Sequence, residues 1–151
     1  MTRDMTIREI SDRQGITELL TRYCTAVDTS DYTLLDTCFT PDARLDMSRL
    51  GGPVCAYPEF RQWLESSLQY LDSMQHSITN TVFEIDGDVA RTKTIFTNTN
   101  SMKKPDGSAQ VFTVGGYYVD ELAYTSTGWK ICGRSEELSY FDGERPSRDA
   151  L

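Results

Sequence analysis

Apolar positions recur at helical spacing through the first half of the chain and at alternating spacing through the second. Ile16, Leu19, Leu20, Tyr23 and Val27 fall three and four apart, the period of one buried helix face. They predict a helix over about Ile7–Val27, with Gly15 as a weak point where it could break, behind a loose or docked arm at residues 1–6. Thr29-Ser30-Asp31 supplies N-cap chemistry for a second helix through Cys38, with Leu34, Leu35 and Phe39 apolar. Thr40-Pro41-Asp42 reads as a turn, Ala43 to Met47 as a short strand, and Ser48 to Ala56, with Gly51-Gly52-Pro53, as an irregular covering loop. Pro58 suits the first turn of a third helix running to about Leu71, whose stripe is Phe60, Trp63, Leu64, Leu68 and Leu71.

The period then changes to two. Runs at Met74–Ile85, Val89–Ser101, Gln110–Tyr124 and Trp129–Tyr140 read as strands. Between them lie Asp86-Gly87-Asp88, Lys103-Lys104-Pro105-Asp106-Gly107 and Ser126-Thr127-Gly128, all turn signals. Long strands after a helical half give an α+β class: a curved mixed or antiparallel sheet packed with the N-terminal helices, curling toward a cone with a pocket at its open end. The expected organisation is a single domain over residues 1–141 and a polar tail over 142–151.

Composition narrows the chemistry. With 151 residues, 38% hydrophobic, the chain can bury a core of its own. No apolar run approaches the roughly 20 residues of a bilayer span, and the N-terminus lacks the apolar segment of a signal peptide. The expectation is a cytoplasmic protein with no membrane partner. A net charge of −8 opposes a phosphate backbone, so no nucleic acid is expected. Cys24, Cys38, Cys55 and Cys132 are scattered and read as reduced thiols. The one histidine, His76, rules out a multi-His metal site within a chain. No nucleophile elbow, dinucleotide fingerprint or phosphate loop occurs, so no cofactor and no metal are expected.

Two groups break the pattern of a plain core helix. Tyr23 carries a hydroxyl into the apolar stripe, and Asp28 puts a carboxylate where that stripe ends. Backbone carbonyls at a helix end oppose negative charge, so this carboxylate needs a partner. Alternation places His76 between Met74 and Ile78 on one strand face, with Asn80 continuing it. Thr92, Thr94, Phe96, Asn98 and Asn100 share a face of the next strand, and Val114, Gly116, Tyr118 and Asp120 one of the third. Asp28 could orient the His76 ring and stabilise its protonated form, a proton-transfer pair, with Tyr23 as hydroxyl donor to a substrate oxygen. The same residues also fit a helix cap, a core tyrosine and a structural histidine. Tyr23 and Asp28 stand about 140° apart on an ideal helix, and share a pocket only if the helix ends or tilts there.

Leu20-Thr21-Arg22-Tyr23, Ala26-Val27-Asp28-Thr29-Ser30-Asp31 and Cys38-Phe39-Thr40-Pro41-Asp42-Ala43 resemble the opening of SnoaL-like proteins, of the nuclear transport factor 2-like superfamily. His76-Ser77-Ile78-Thr79-Asn80, Asp86-Gly87-Asp88-Val89-Ala90, Gly116-Tyr117-Tyr118-Val119-Asp120-Glu121-Leu122 and Gly128-Trp129-Lys130-Ile131 continue the likeness, over about residues 5–140. The resemblance implies a cone-shaped α+β fold and is nearest to the scytalone dehydratase and bile acid 7α-dehydratase subgroup. It puts that subgroup's helix aspartate on Asp28, its strand histidine on His76 and the bile acid enzyme's tyrosine on Tyr23. That enzyme's second aspartate falls on Asn98, which cannot act as a base. Scytalone dehydratase's tyrosine pair falls near Val27 and Met47, neither a donor, and its second histidine has no counterpart.

The resulting expectation is a cofactor-independent dehydratase or isomerase acting on a small hydrophobic oxygenated ring compound of polyketide, steroid or terpenoid type. Tyr23, Asp28 and His76 would act in catalysis, with Asn98, Tyr118, Met47 and Phe96 lining the substrate. A cyclase, a double-bond isomerase and a non-catalytic ligand holder remain alternatives, and a homo-oligomer, dimer or trimer, is expected through the open sheet face.

Overall fold

The computed structural model describes residues 4–146. Helix α1 spans Ile7–Asp28 and opens on a capping box: the Thr6 hydroxyl accepts from the Glu9 amide, and the Glu9 carboxylate accepts from the Thr6 amide. It passes Gly15 without the expected break. A Cβ at that position would come 3.2 Å from Trp129 Cδ1, so the glycine serves close approach of helix to sheet. Helix α2, Tyr32–Asp36, is capped by Asp31, whose carboxylate accepts from the Leu34 amide at 2.9 Å, and stops short of Cys38. Helix α3, Tyr57–Leu68, carries Pro58 in its first turn and also stops early, before Leu71.

Strand β1, Phe39–Asp46, begins where a turn is expected. Its pairing breaks between Phe39 and Arg44, and Thr40-Pro41-Asp42 lies in that interruption, where Pro41 has no ladder bond to donate. The covering loop is more regular than expected: a 3-10 turn, Ser48–Leu50, then strand β2, Val54–Ala56, paired antiparallel to β1. Four long strands follow, β3 Ser73–Asp86, β4 Val89–Lys103, β5 Ala109–Thr125 and β6 Gly128–Gly143. The sheet order is β2-β1-β6-β5-β4-β3, with β1 and β6 parallel and the other neighbours antiparallel. The result is the α+β fold expected, helices packed on a curved, mixed six-stranded sheet. Asp142 and Gly143, assigned to the tail from the sequence, continue β6, and Glu144 ion-pairs with Lys104. The remainder of the tail, residues 147–151, and residues 1–3 of the arm lie outside the described residues.

Bulges in β3 and β6 decide which side chains face the helices. In β3, pairing shifts between Thr79↔Ile95 and Val82↔Lys93, and Asn80 adopts φ +50°. The half-buried set therefore changes from Met74, His76 and Ile78 to Thr81, Phe83 and Ile85. Asn80, expected beside His76 and Ile78, is exposed at the bulge. In β6, Ile131 pairs with Leu122 and Gly133 with Glu121, leaving Cys132 as the extra residue. Trp129 and Ile131 are buried before it, Arg134 and Glu136 after it.

The core lies between α1, α3 and the concave sheet face, where Ile16, Leu19, Leu20, Phe60, Leu122 and Ile131 are almost wholly buried. All four cysteines are free; Cys132 is partly exposed and the others are buried. Among the described residues no helix is long and apolar enough to cross a membrane.

Gly116 sits between Phe96 and Leu138 in the sheet register. A Cβ there would lie 2.1 Å from the Glu137 carbonyl oxygen, which is backbone and cannot rotate away. Gly116→Ala is expected to destabilise the fold by about 1–3 kcal/mol in urea unfolding, and unchanged stability would mean that β5 and β6 separate there at no cost.

Candidate active site

Asp28 is the last residue of α1, so its side chain leaves the helix where the backbone turns away. Both carboxylate oxygens go to one residue of β3. The His76 amide donates to Oδ2 at 2.9 Å, and His76 Nδ1 lies 2.5 Å from Oδ1. The imidazole is 5% exposed and the carboxylate 21%. A proton on Nδ1, donated to the carboxylate, leaves the Nε2 lone pair for chemistry.

Tyr23 is about a turn and a half back on α1 and 3% exposed. Its ring stands edge-on to His76, with centroids 6.5 Å apart, and to Tyr118 at 5.7 Å. Tyr118 stacks on Phe96 at 4.2 Å. Asn98 is the cross-strand partner of His76 in the register, and its Oδ1 is buried with no partner among the described residues. The structure thus gathers Tyr23, Asp28, His76, Asn98, Phe96 and Tyr118. Met47 is buried at the end of β1, where it packs with Gly52 under the 3-10 turn. A cleft of about 580 Å³ opens beside Asp28 between Met74 and Asn100 and reaches Val111. Among the described residues no group of three or more His, Cys, Asp or Glu could hold a metal ion.

Beneath Tyr23 lies a charge cluster absent from the sequence reading. Arg134 Nε and Nη2 donate to the two oxygens of Asp120 at 2.6 and 2.8 Å, and both side chains are fully buried. The Arg134 guanidinium carbon is 4.1 Å from the ring centroids of both Tyr23 and Tyr118. Burial works against this charge, but Asp120, by charge and hydrogen bond, leaves its pKa well above the usual value. Glu136, two residues on, is 6% exposed, and burial, opposed by Arg134 and reinforced by Asp120, pushes its carboxyl up to about 7. Burial likewise raises the Tyr23 phenol, with Arg134 pulling it down and Glu136 pushing it up. Strict alternation from Trp129 and Ile131 would turn Arg134 and Glu136 outward, so only the Cys132 bulge reveals them. The Gly133 that follows Cys132 is the sole local hint.

The SnoaL-like domain model matches residues 8–135. The uncharacterized protein Rv2910c of Mycobacterium tuberculosis is 36% identical over 132 residues, covering 87% of this chain and 88% of its own length. A scytalone dehydratase-like protein from Novosphingobium aromaticivorans superposes with a TM-score of 0.84 at 14% identity, over 95% of this chain and 94% of its own. A type-3 hexachlorocyclohexane dehydrochlorinase from Novosphingobium barchaimii gives 0.76 at 18% identity, over 90% and 92%. At those identities the two structures share the fold alone.

The raised carboxyl of Glu136 has a consequence for stability. Its folded pKa, about 7, lies above the ordinary 4.5, so the folded state holds the proton more tightly. Its stabilising contribution is therefore complete below the ordinary value and lost as pH rises through the folded one, a difference of roughly 3 kcal/mol. Urea titrations at stepped pH should show wild type weakening over that window and Glu136→Gln weakening less. Parallel curves would place the Glu136 carboxyl in water. Arg134→Met, which strands Asp120, is expected to cost about 3–5 kcal/mol by the same measurement.

Proposed function

Because the chain belongs to the SnoaL-like domain family, we propose that it is a cofactor-independent acid–base enzyme, a dehydratase or isomerase of a small hydrophobic oxygenated ring compound. The observation that carries this reading is the bond from His76 Nδ1 to Asp28, in a nearly dry site, which leaves Nε2 as a base. Nε2 takes a proton from the carbon next to a substrate carbonyl, and the electron pair of that C–H bond moves onto the carbonyl oxygen. Asp28 steadies the imidazolium formed. The Tyr23 hydroxyl donates to the enolate oxygen as its charge grows. In dehydration the pair returns to form a carbon–carbon double bond as the β C–O bond breaks, and the imidazolium proton leaves with the hydroxyl as water. In isomerisation the same proton returns to a different carbon and nothing departs.

Asn98, Phe96 and Tyr118 line and orient the ring, and the cleft beside Asp28, which shares only that residue with the site, is its way in. The aromatic lining and the single acid–base pair fit polyketide, steroid or terpenoid-like substrates. Val82, Val111 and Tyr140 are exposed on the sheet, and they support self-association as a dimer or trimer. We take the protein to work in the cytoplasm.

The test is a panel of cyclic β-hydroxy ketones and β,γ-unsaturated ketones in deuterated water, read by mass spectrometry. Loss of water marks dehydration; movement of the double bond into conjugation, read by ultraviolet absorbance at unchanged composition, marks isomerisation. His76→Ala and Asp28→Asn are each expected to lower turnover about 10²–10⁴-fold, with circular dichroism unchanged. Turnover equal to wild type in His76→Ala would remove the assignment. Binding of a panel member with no turnover, altered by His76→Ala, would make the cone a ligand holder instead.

A further inference from the structure

The mechanism above leaves the charge under Tyr23 without a task. One guanidinium there faces two carboxyl groups. Asp120 commits both oxygens to Arg134. Glu136 Oε2 and Arg134 Nη1 are buried and have no hydrogen-bond partner among the described residues. With both carboxyls ionised the cluster is net negative in a dry interior, and with Glu136 neutral its charges balance. Asp120 lies opposite Arg134 in the sheet register, and Tyr118 lies opposite Glu136. Tyr23 rests on the guanidinium from the helix side. A change of charge on Glu136 therefore acts on the cation that seats the Tyr23 ring.

We propose that Glu136 is a positioning residue for Tyr23 and acts on it through Arg134. While Glu136 is neutral, the guanidinium stays on Asp120 and between the two tyrosine rings. When Glu136 is ionised, it competes for Nη1 and loosens the seat of the Tyr23 ring. The proposal rests on the reading that the Tyr23 hydroxyl serves the substrate.

The groups facing Glu136 favour a proton that comes and goes near neutrality. Burial raises its carboxyl, Arg134 on its own strand lowers it, and Asp120 on β5 raises it again, to about 7. Tyr118 on β5 and Tyr23 on α1 each feel its charge in the direction that holds their own protons, as they feel that of Cys24. On β1 and the turn after it the charged groups are Asp42 and Arg44, both exposed, Asp46, which accepts from Ser48, and the exposed Arg49. An ionised Glu136 thus makes Tyr23 the weaker donor, and a neutral one the stronger.

The test needs no substrate. Tyrosine labelled with ¹³C at Cζ is followed by NMR across neutrality, with the Tyr23 signal assigned from Tyr23→Phe. His76→Gln serves as background, because it removes the imidazole from the same pH range. The expected result is a step in the Tyr23 shift with a midpoint of about 7, present in wild type and in His76→Gln and absent when Glu136→Gln is added. A flat Tyr23 signal in His76→Gln, or a step that survives Glu136→Gln, overturns the proposal. Should Glu136→Gln not fold, glutamate labelled at the carboxyl carbon in His76→Gln decides it: the Glu136 and Tyr23 signals must share one midpoint, and separate midpoints overturn it. Turnover by His76 variants is measured separately, so the acid–base reading and this one fail on different data.

Discussion

The seating of the last turn of α1 on the sheet depends on the carboxylate of Asp28. A helix C-terminus is a poor place for negative charge, since the last carbonyls already point their oxygens that way. Asp28 is held there by two donors of one residue, the ring and the backbone of His76. The bond ties the end of α1 to β3, the edge strand, which among the described residues pairs with β4 alone. At the other end of the helix, Asp12 accepts from Trp129 Nε1 at 3.2 Å, which ties it to β6. Helix α1 is thus pinned across the sheet at both ends by carboxylates, and Tyr23 is presented between the pins. The feature that orients the imidazole is also the feature that closes the domain.

Hydrophobic burial does the bulk of the stabilising, yet the centre of the cone is ionic. An apolar replacement of the Arg134–Asp120 pair could be as stable or more so, because desolvation offsets most of a buried pair's attraction. What such a replacement would lack is the flat, always-charged plate against which Tyr23 and Tyr118 are set. The stacked Phe96–Tyr118 pair then walls the space above it. Rigid rings on a fixed cation are a scaffold suited to holding a hydroxyl in one place.

Much of this was legible in the sequence. The helices, the four long strands and the turns between them follow from period and punctuation, and the α+β class follows from their order. The solitary histidine made His76 conspicuous, and the interrupted stripe of α1 did the same for Asp28. Misreadings arose where tertiary contact overrides a local signal. Gly15 looks like a helix breaker and is a contact point with Trp129. Thr40-Pro41-Asp42 looks like a turn and is an interruption within β1. Asn80 was placed on the wrong face, and Arg134 and Glu136 were missed, because alternation assumes an unbroken count, which the bulges violate.

The extra residue in β6 amounts to a reading frame for the sheet. Removing Cys132 alone would restore even alternation from Trp129 as far as Leu138, where the pairing shifts again, and rotate the stretch between by half a turn. Arg134 and Glu136 would move to the wet outer face, and Ser135 and Glu137 would turn inward. A one-residue insertion or deletion can therefore exchange the lining that this strand contributes beyond the bulge while every other residue, the helices and the histidine among them, stays the same. A fold with such frames can acquire or discard a charged interior in a single genetic event, faster than by substituting its residues one at a time.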